Sequence, residues 1–338
     1  MAVPVRRRAS RKSALAGRRS TPIGAYFSRN RSLRSLTFPT LPYRNAHRYA
    51  RRVVVLLALP WLAGCLGFGG KPEPVATPTA RKVALVLGGG AARGFAHVGV
   101  IKALEAQGIA PDLIVGTSAG ALVGALYAGG MSAFELQKVA IEIEDGQFSD
   151  WTLPDRGLFK GEALQNFVNR TLGNRPIEKL PRALAVVATD LASGEAVTFR
   201  QGNPGTAVRA SAAVPGIFQP TRINGRDYVD GGLVSPVPVR IARELGADFV
   251  IAVDISARPK DGKTGSSVEV LLQTFAIMGQ TLGRHETATA DVVIRPTTAD
   301  LTQTDFSSRH RAVLEGERAA ALVLPDLKRK LDVRRGKE

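Results

Sequence analysis

A serine with small neighbours on both sides is the first residue of this sequence that could do chemistry. Gly116-Thr117-Ser118-Ala119-Gly120 is a G-x-S-x-G motif between a short apolar run and a stretch rich in small residues. A sharp strand-to-helix turn with these residues lifts a serine hydroxyl above the edge of a sheet, where it can act as a nucleophile. The motif alone is a weak signal, because an ordinary tight turn between a strand and a helix has the same letters.

Three consecutive glycines form a second loop that also follows an apolar run. Gly88, Gly89 and Gly90 allow backbone N–H groups to turn toward an anion, and the start of the next helix adds positive potential. A dinucleotide-binding loop is the competing interpretation, but Arg93 stands where the third glycine of G-x-G-x-x-G belongs. If both loops leave the same edge of a parallel sheet, one supplies the nucleophile and the other supplies donors for a developing oxyanion.

A serine nucleophile needs a base, and Asp230 is the best candidate in this sequence. It ends a predicted strand and is followed by two glycines, so no side chains crowd behind it. The usual base is a histidine oriented by a carboxylate. However, His97 is predicted to pack beside a strand, and His285 and His310 lie on late predicted helices with no turn to present them.

Alternating strands and helices must position these residues. Strands are predicted near residues 82–87, 113–115, 183–190, 196–200, 226–229, 249–254 and 291–294. Helices are predicted near residues 95–107, 119–128, 132–144, 161–172, 207–213, 238–245, 268–289 and 307–330. This alternation predicts a three-layer α/β/α domain around a mostly parallel central sheet, over about residues 81–330.

In order and spacing, these motifs resemble those of the patatin-like phospholipase family, particularly its bacterial branch. The resemblance is carried by GGGAARG at 88–94, GTSAG at 116–120 and DGG at 230–232, with support from 188–190 and 210–218. It covers about Lys82–Ser256 and implies an α/β/α fold, a Ser-Asp dyad and acyl-ester substrates such as phospholipids or lysophospholipids. The helical part after about Ala257 lies outside it.

Carried over position by position, the resemblance makes Ser118 the nucleophile and Asp230 the base. It implies that Gly88, Gly89 and Gly90 line the oxyanion hole, with Arg93 beside it. No cofactor is expected. No metal is expected either, because the single cysteine and the four histidines form no zinc-binding pattern.

Two other functions fit parts of the same pattern. One is a general carboxylesterase or thioesterase with a Ser-His-Asp triad, in which His285 or His310 is the base. The other is a membrane-tethered pseudoenzyme that uses the glycine loop to hold an anionic lipid headgroup. An inactive His285 or His310 variant would favour the first, and lipid binding without turnover would favour the second.

The charge of +17 is concentrated at the ends of the chain. Residues 1–52 hold 14 of the 46 Lys and Arg and no acidic residue, whereas the rest carries 32 basic and 29 acidic residues. A short basic tail is expected at 331–338. Because the body is nearly neutral and has no basic stripe, we expect no nucleic-acid partner.

The leader ends at the only cysteine. Residues 53–64 are apolar, follow Arg51 and Arg52, and end in Leu62-Ala63-Gly64-Cys65, which resembles a bacterial lipobox. Residues 1–65 are therefore predicted to be a basic leader with a lipoprotein-type signal, and residues 66–80 a flexible tether. This predicts a protein anchored by Cys65 in the bacterial cell envelope, on the outer membrane or the periplasmic face, with lipid esters and the membrane surface as partners.

Other interpretations of the leader stay open. Residues 53–64 could be a buried helix with an incidental cysteine, and residues 1–50 could be a disordered basic arm, an organelle transit peptide or a start-site artefact. A cytoplasmic or peripheral membrane location is the alternative that follows.

Overall fold

An eight-stranded mixed sheet is the centre of the part of the chain that the computed structural model describes. The described residues are 82–144, 146–152, 156–256, 259, 264–297 and 308–334. The predicted signal, Cys65 and the predicted tether lie outside these residues, so their assignments stay predictions.

Five strands form the parallel centre of the sheet, in the order β3-β2-β1-β7-β8. They are β1 (Val83–Leu87), β2 (Leu113–Thr117), β3 (Ala183–Asp190), β7 (Phe249–Val253) and β8 (Val292–Ile294). Their aliphatic runs suit strands that are buried on both faces. Three antiparallel strands complete the sheet, namely β4 (Ala196–Phe199), β5 (Thr221–Ile223) and β6 (Arg226–Asp230).

The helices lie between these strands in sequence. They are α1 (Phe95–Glu105), α2 (Ala119–Ala128), α3 (Ala133–Glu142), α4 (Glu162–Thr171), α5 (Pro204–Ser211), α6 (Val239–Glu244), α7 (Ser267–Thr287) and α8 (Arg309–Arg334). Alternate strand residues point to opposite faces. Leu85 packs in a core with α1 to α5 and α8, whereas Val86 packs on the other face with α6. The result is a three-layer arrangement with the sheet in the middle.

The strand register explains why distant motifs meet. Thr117, the last residue of β2, pairs with Val187 of β3, and Asp230, the last residue of β6, pairs with the next residue, Ala188. Because β4 occupies the other edge of β3 at these positions, β2 and β6 follow one another along the same edge. Asp230 therefore lies directly beyond the end of β2, where Ser118 begins the turn.

The α/β/α class and the mostly parallel sheet predicted from the sequence are confirmed. The strand β5 was not predicted, because it has only three residues and gains its pairing from the hairpin turn at Asn224 and Gly225. Both turn residues have positive φ, as a two-residue hairpin turn requires. The last helix continues to Arg334, past the predicted end at 330.

Candidate active site

Ser118 occupies a strained turn between β2 and α2. Its φ of 53° and ψ of −119° lie in a region that non-glycine residues rarely adopt, and its side chain is largely buried. The flanking glycines allow this turn. A Cβ on Gly120 would lie 2.0 Å from the carbonyl oxygen of Leu87, and a Cβ on Gly116 would lie 2.5 Å from that of Gly120. Sterics therefore require glycine-sized residues at both positions.

Neighbouring hydroxyl groups hold the turn in place. The amide of Ser118 donates to Ser211 Oγ at 2.8 Å, and the Ser211 hydroxyl donates to the carbonyl of Val187 at 2.5 Å. The Thr117 hydroxyl donates to the carbonyl of Ser235 at 2.8 Å. Strained backbone persists only where surrounding contacts fix it, and these bonds supply such contacts.

Asp230 lies beside Ser118, and both residues line the same small cavity. The amide of Gly232 donates to its Oδ1 at 2.7 Å, and its own amide donates to Ala213 at 2.9 Å. Burial raises the pKa of Asp230 to about 6, although the hydrogen bonds from Ser118 and Gly232 act in the opposite direction. The structure thus brings the predicted nucleophile and the predicted base together, and burial makes the carboxylate more basic than an exposed one.

The described histidines do not take part in this pair. His97 is fully buried, and its Nε2 donates to the carbonyl of Gly88 at 2.8 Å. Burial lowers the pKa of His97 to about 4, so the ring is neutral at pH 7. Its hydrogen bond to Gly88 supports the glycine loop. His285 and His310 are exposed on α7 and α8, and neither lines the cavities beside Ser118.

The glycine loop lies against the serine, but only part of it offers free donors. The position of a Cβ on Gly89 would be 3.4 Å from Ser118 Cβ. However, the amide of Gly88 donates to Val253 at 3.0 Å and that of Gly89 to Pro236 at 2.9 Å. Within the described residues, the amide of Gly90 meets no acceptor, so Gly90 fits the predicted oxyanion hole best. Gly88 and Gly89 are better described as its supports.

Ala91 is a residue that the sequence analysis did not select. It follows Gly90, starts a short 3-10 helix and has a φ of 49°, which is positive like that of Ser118. Its amide also meets no acceptor among the described residues. Two adjacent free donors at the start of a helical turn form a site suited to an oxyanion. Alanine at this position carries no sequence signal, because its role depends on backbone geometry.

Arg93 is buried beside the loop. Burial lowers its pKa to about 10, while Asp254 acts in the opposite direction, so the guanidinium stays positive at pH 7. Its Nε meets no hydrogen-bond partner in the described part of the chain. The structure therefore places a cation next to the cavity that Ser118 lines.

Two cavities meet at Ser118. The smaller, of about 110 Å³, is also lined by Gly90, Arg93 and Asp230. The larger, of about 550 Å³, is lined by residues of α1, α2 and α3 and by aromatic side chains from the loops, and it is mostly apolar. Its lining includes Val98, Leu122, Leu136, Phe148, Phe159 and Phe218. The nucleophile thus lies between a small cavity, which Arg93 and Asp230 also line, and a large apolar one.

The described residues contain no group of three or more side chains suited to hold a metal ion. A search of the same residues finds no helix that is both long and apolar enough to span a bilayer.

Comparison with known proteins adds to this geometry. Residues 85–243 match the family described as patatin-like phospholipase. An uncharacterized NTE family protein of Mycobacterium tuberculosis is 31% identical over 293 residues, which are 78% of this chain and 50% of that protein. Patatin-like phospholipase domain-containing protein 6 of Mus musculus is 37% identical over 188 residues, 53% of this chain and 14% of that protein.

The chain spans about half the length of the bacterial relatives that it matches. Among solved structures, VipD from Legionella pneumophila aligns with a TM-score of 0.45 and 15% identity, over 73% of this chain and 67% of that one. The family match and the sequence relatives support the assignment of this chain to the patatin-like family.

Proposed function

We propose that this chain, with its patatin-like phospholipase domain, is a serine hydrolase that cleaves acyl esters of lipids. Ser118 is the nucleophile and Asp230 its base. The observation that carries the proposal is the position of Ser118 beside the buried carboxylate of Asp230, on one small cavity and at a strained turn that also opens on a large apolar cavity. A Ser-His-Asp triad has no such support, because the described histidines lie elsewhere.

The reaction follows from the positions of these groups. Asp230 takes the hydroxyl proton as Ser118 Oγ attacks the ester carbonyl, and the free amides of Gly90 and Ala91 stabilise the oxyanion. When the C–O bond breaks, the alcohol leaves with the proton from Asp230. Water then attacks the acyl-serine while Asp230 accepts its proton. The bond between the acyl carbon and Ser118 Oγ breaks, and Asp230 returns the proton to Oγ, which releases the fatty acid and restores both residues.

The two cavities suggest how a lipid ester binds. The large apolar cavity suits an acyl chain, since burial of hydrocarbon contributes roughly 0.8 kcal/mol per CH₂. The small cavity suits the leaving alcohol, and Arg93 places a positive charge there. We propose phospholipids or lysophospholipids as the substrate class, in keeping with the family's description.

We further propose that the protein is lipidated at Cys65 and anchored in the bacterial cell envelope. The support is the Leu62-Ala63-Gly64-Cys65 sequence and the apolar run before it. Mass spectrometry of protein extracted from membranes should show a mature N-terminus at an acylated Cys65. An intact, unmodified segment from Val53 to Cys65 would contradict this proposal.

A fluorophosphonate probe tests the hydrolase proposal, because it mimics the tetrahedral intermediate. The probe should label Ser118, and Ser118→Ala should abolish both labelling and the hydrolysis of phospholipids. The exposed Ser193 provides a matched control, and Ser193→Ala should keep both. Lipid binding without turnover in the wild-type protein would favour the pseudoenzyme instead. Hydrolysis should also persist in excess EDTA, since the mechanism uses no metal.

A further inference from the structure

A short buried segment touches all three loops of the candidate site. The carbonyl of Pro236 accepts from the amide of Gly89 in the glycine loop at 2.9 Å. The carbonyl of Ser235 accepts from the Thr117 hydroxyl beside the nucleophile at 2.8 Å. The amide of Ser235 donates to Gly231, next to Asp230, at 2.8 Å. Ser235–Val237, here called the hub segment, therefore connects the nucleophile, the base and the glycine loop.

One carboxylate on α7 holds the hub segment. The Ser235 hydroxyl donates a short hydrogen bond to Glu286 Oε1, and the amide of Val237 donates to Glu286 Oε2 at 2.9 Å. Pro236 and Pro238 have no N–H group, so Val237 carries the single amide donor between them. Val237 is fully buried, and its amide has no access to water. Glu286 thus satisfies a donor that would otherwise be costly to bury.

The helix also packs against the hub segment. Gly283 lies one turn before Glu286, and a Cβ there would be in ordinary van der Waals contact, 3.7 Å from a methyl group of Val237. Four residues of the same helix, Leu272, Phe275, Ala276 and Gly279, line the small cavity. A single helix therefore both borders the substrate cavity and supports the loops behind it.

We propose that Glu286 is a positioning residue that fixes the hub segment and, through it, the relative positions of Ser118, Asp230 and the glycine loop. The inference rests on the proposed hydrolase function. Glu286 lines neither cavity, so its effect on the reaction passes through Ser235 and Val237. Displacement of catalytic groups by about 1 Å through a remote change can lower the rate by about 100-fold, which gives the scale of the expected loss.

The contacts also predict which substitution is tolerated. Burial raises the pKa of Glu286 to about 7, against the hydrogen bonds from Ser235 and Val237 and the charge of Arg240 on α6. A neutral side chain of the same shape can keep both bonds if its oxygen accepts from Val237 and its other group donates to Ser235 Oγ. Glutamine meets this requirement, whereas alanine meets none of it.

The test compares Glu286→Ala, Glu286→Gln and the wild-type protein. Glu269→Ala is the matched control, because Glu269 lies on the same helix and its carboxylate accepts from the amide of Gly265, near the start of the helix and away from the hub segment. For folded protein, Glu286→Ala should lower kcat about 10- to 100-fold with little change in KM, and should slow fluorophosphonate labelling of Ser118 similarly. Glu286→Gln should restore kcat to within about 3-fold of the wild type, and Glu269→Ala should leave it unchanged.

Two results would overturn the inference. One is a folded Glu286→Ala protein with wild-type kcat and labelling rate, even at a lower melting temperature, since the residue would then be merely structural. The other is a Glu286→Gln protein as slow as Glu286→Ala. If Glu286→Ala does not fold, the Glu286→Gln and Ser235→Ala variants decide the point, because Ser235→Ala removes one of the two bonds and should lower kcat with KM unchanged. A wild-type protein that is neither labelled nor active would instead refute the proposed hydrolase function.

Discussion

Two aspartates end neighbouring strands of the same sheet, and their surroundings differ. Asp190 ends β3 and is fully buried, yet the amides of Ser193 and Ala192 donate to it, and Arg226 forms an ion pair with it at 2.6 Å. Asp230 ends the adjacent β6 and is almost as buried, but among the described residues it meets a serine hydroxyl and one amide and no cation.

Their pKa values move in opposite directions. The amide of Ser193, the amide of Ala192 and the charge of Arg226 lower the pKa of Asp190, although burial opposes them. Burial raises the pKa of Asp230 to about 6, because within the described part of the chain no ion pair offsets its loss of contact with water. The same residue type in the same layer is thus a stabilised structural anion in one place and a more basic carboxylate in the other.

The comparison predicts its largest effect on turnover. Asp230→Asn keeps the shape but removes the base, so kcat should fall by a factor on the order of 10²–10⁴. Asp190→Asn should leave kcat of folded protein within a few-fold of wild type, because Asp190 does not line the cavities. Steady-state hydrolysis of a soluble short-chain ester measures both. Equal losses in the two variants would show that the contrast between the aspartates has no catalytic meaning.

Histidine variants provide the control for that experiment. His285→Ala and His310→Ala change exposed side chains and should keep most of kcat. Ser118→Ala combined with Asp230→Asn should be little slower than either single variant, since groups that act as a unit are not additive. A folded histidine variant that is as inactive as Ser118→Ala would contradict the Ser-Asp pair and favour a Ser-His-Asp triad.

The second effect concerns pH. Asp230 accepts a proton only when ionised, so kcat/KM should fall about tenfold per pH unit below about pH 6, which is the raised pKa of its carboxyl group. A pH profile of ester hydrolysis from pH 4 to 8 measures this fall in kcat/KM. The Asp190→Asn profile should have the same midpoint. A wild-type midpoint near pH 4, the ordinary value for an aspartate, would mean that Asp230 is not desolvated in solution.

These contrasts show what a sequence can and cannot predict here. The sequence identifies Ser118, which follows a strand, and Asp230, which ends one, because each has glycines beside it, and that is a local signal. The α/β/α class followed from alternating apolar runs, which is also a local property. The proximity of the two residues depends on the pairing of Val187 with Thr117 and of Ala188 with Asp230, and no local pattern encodes that register.

Supporting residues are harder to predict than reacting ones. Ser211 fixes the Ser118 turn and Glu286 holds the hub segment, but each acts through a contact with a residue far away in sequence. The glycine loop shows the same limit, since the amides of Gly88 and Gly89 are already bonded to distant strands and loops. The sequence identified the loop, whereas the free donors depend on the packing around it.

The smallest expected effect concerns stability, and it has opposite signs for the two aspartates. Folding raises the pKa of Asp230, so its contribution is most favourable below its ordinary pKa of about 4 and is lost as pH rises through about 6. At pH 8 the buried anion should cost the folded state on the order of 3 kcal/mol. Asp230→Asn should therefore raise the melting temperature at pH 8 by about 6–12 °C, and by much less at pH 4.5. Asp190→Asn should lower the melting temperature at pH 8, since folding lowers the pKa of Asp190 and its anion stabilises the fold.

Calorimetry at pH 8 and pH 4.5 measures these shifts in melting temperature. An inactive Asp230→Asn protein that is no more stable than wild type at pH 8 would mean that the basicity of Asp230 does not come from burial, because a desolvated anion must destabilise the fold that holds it.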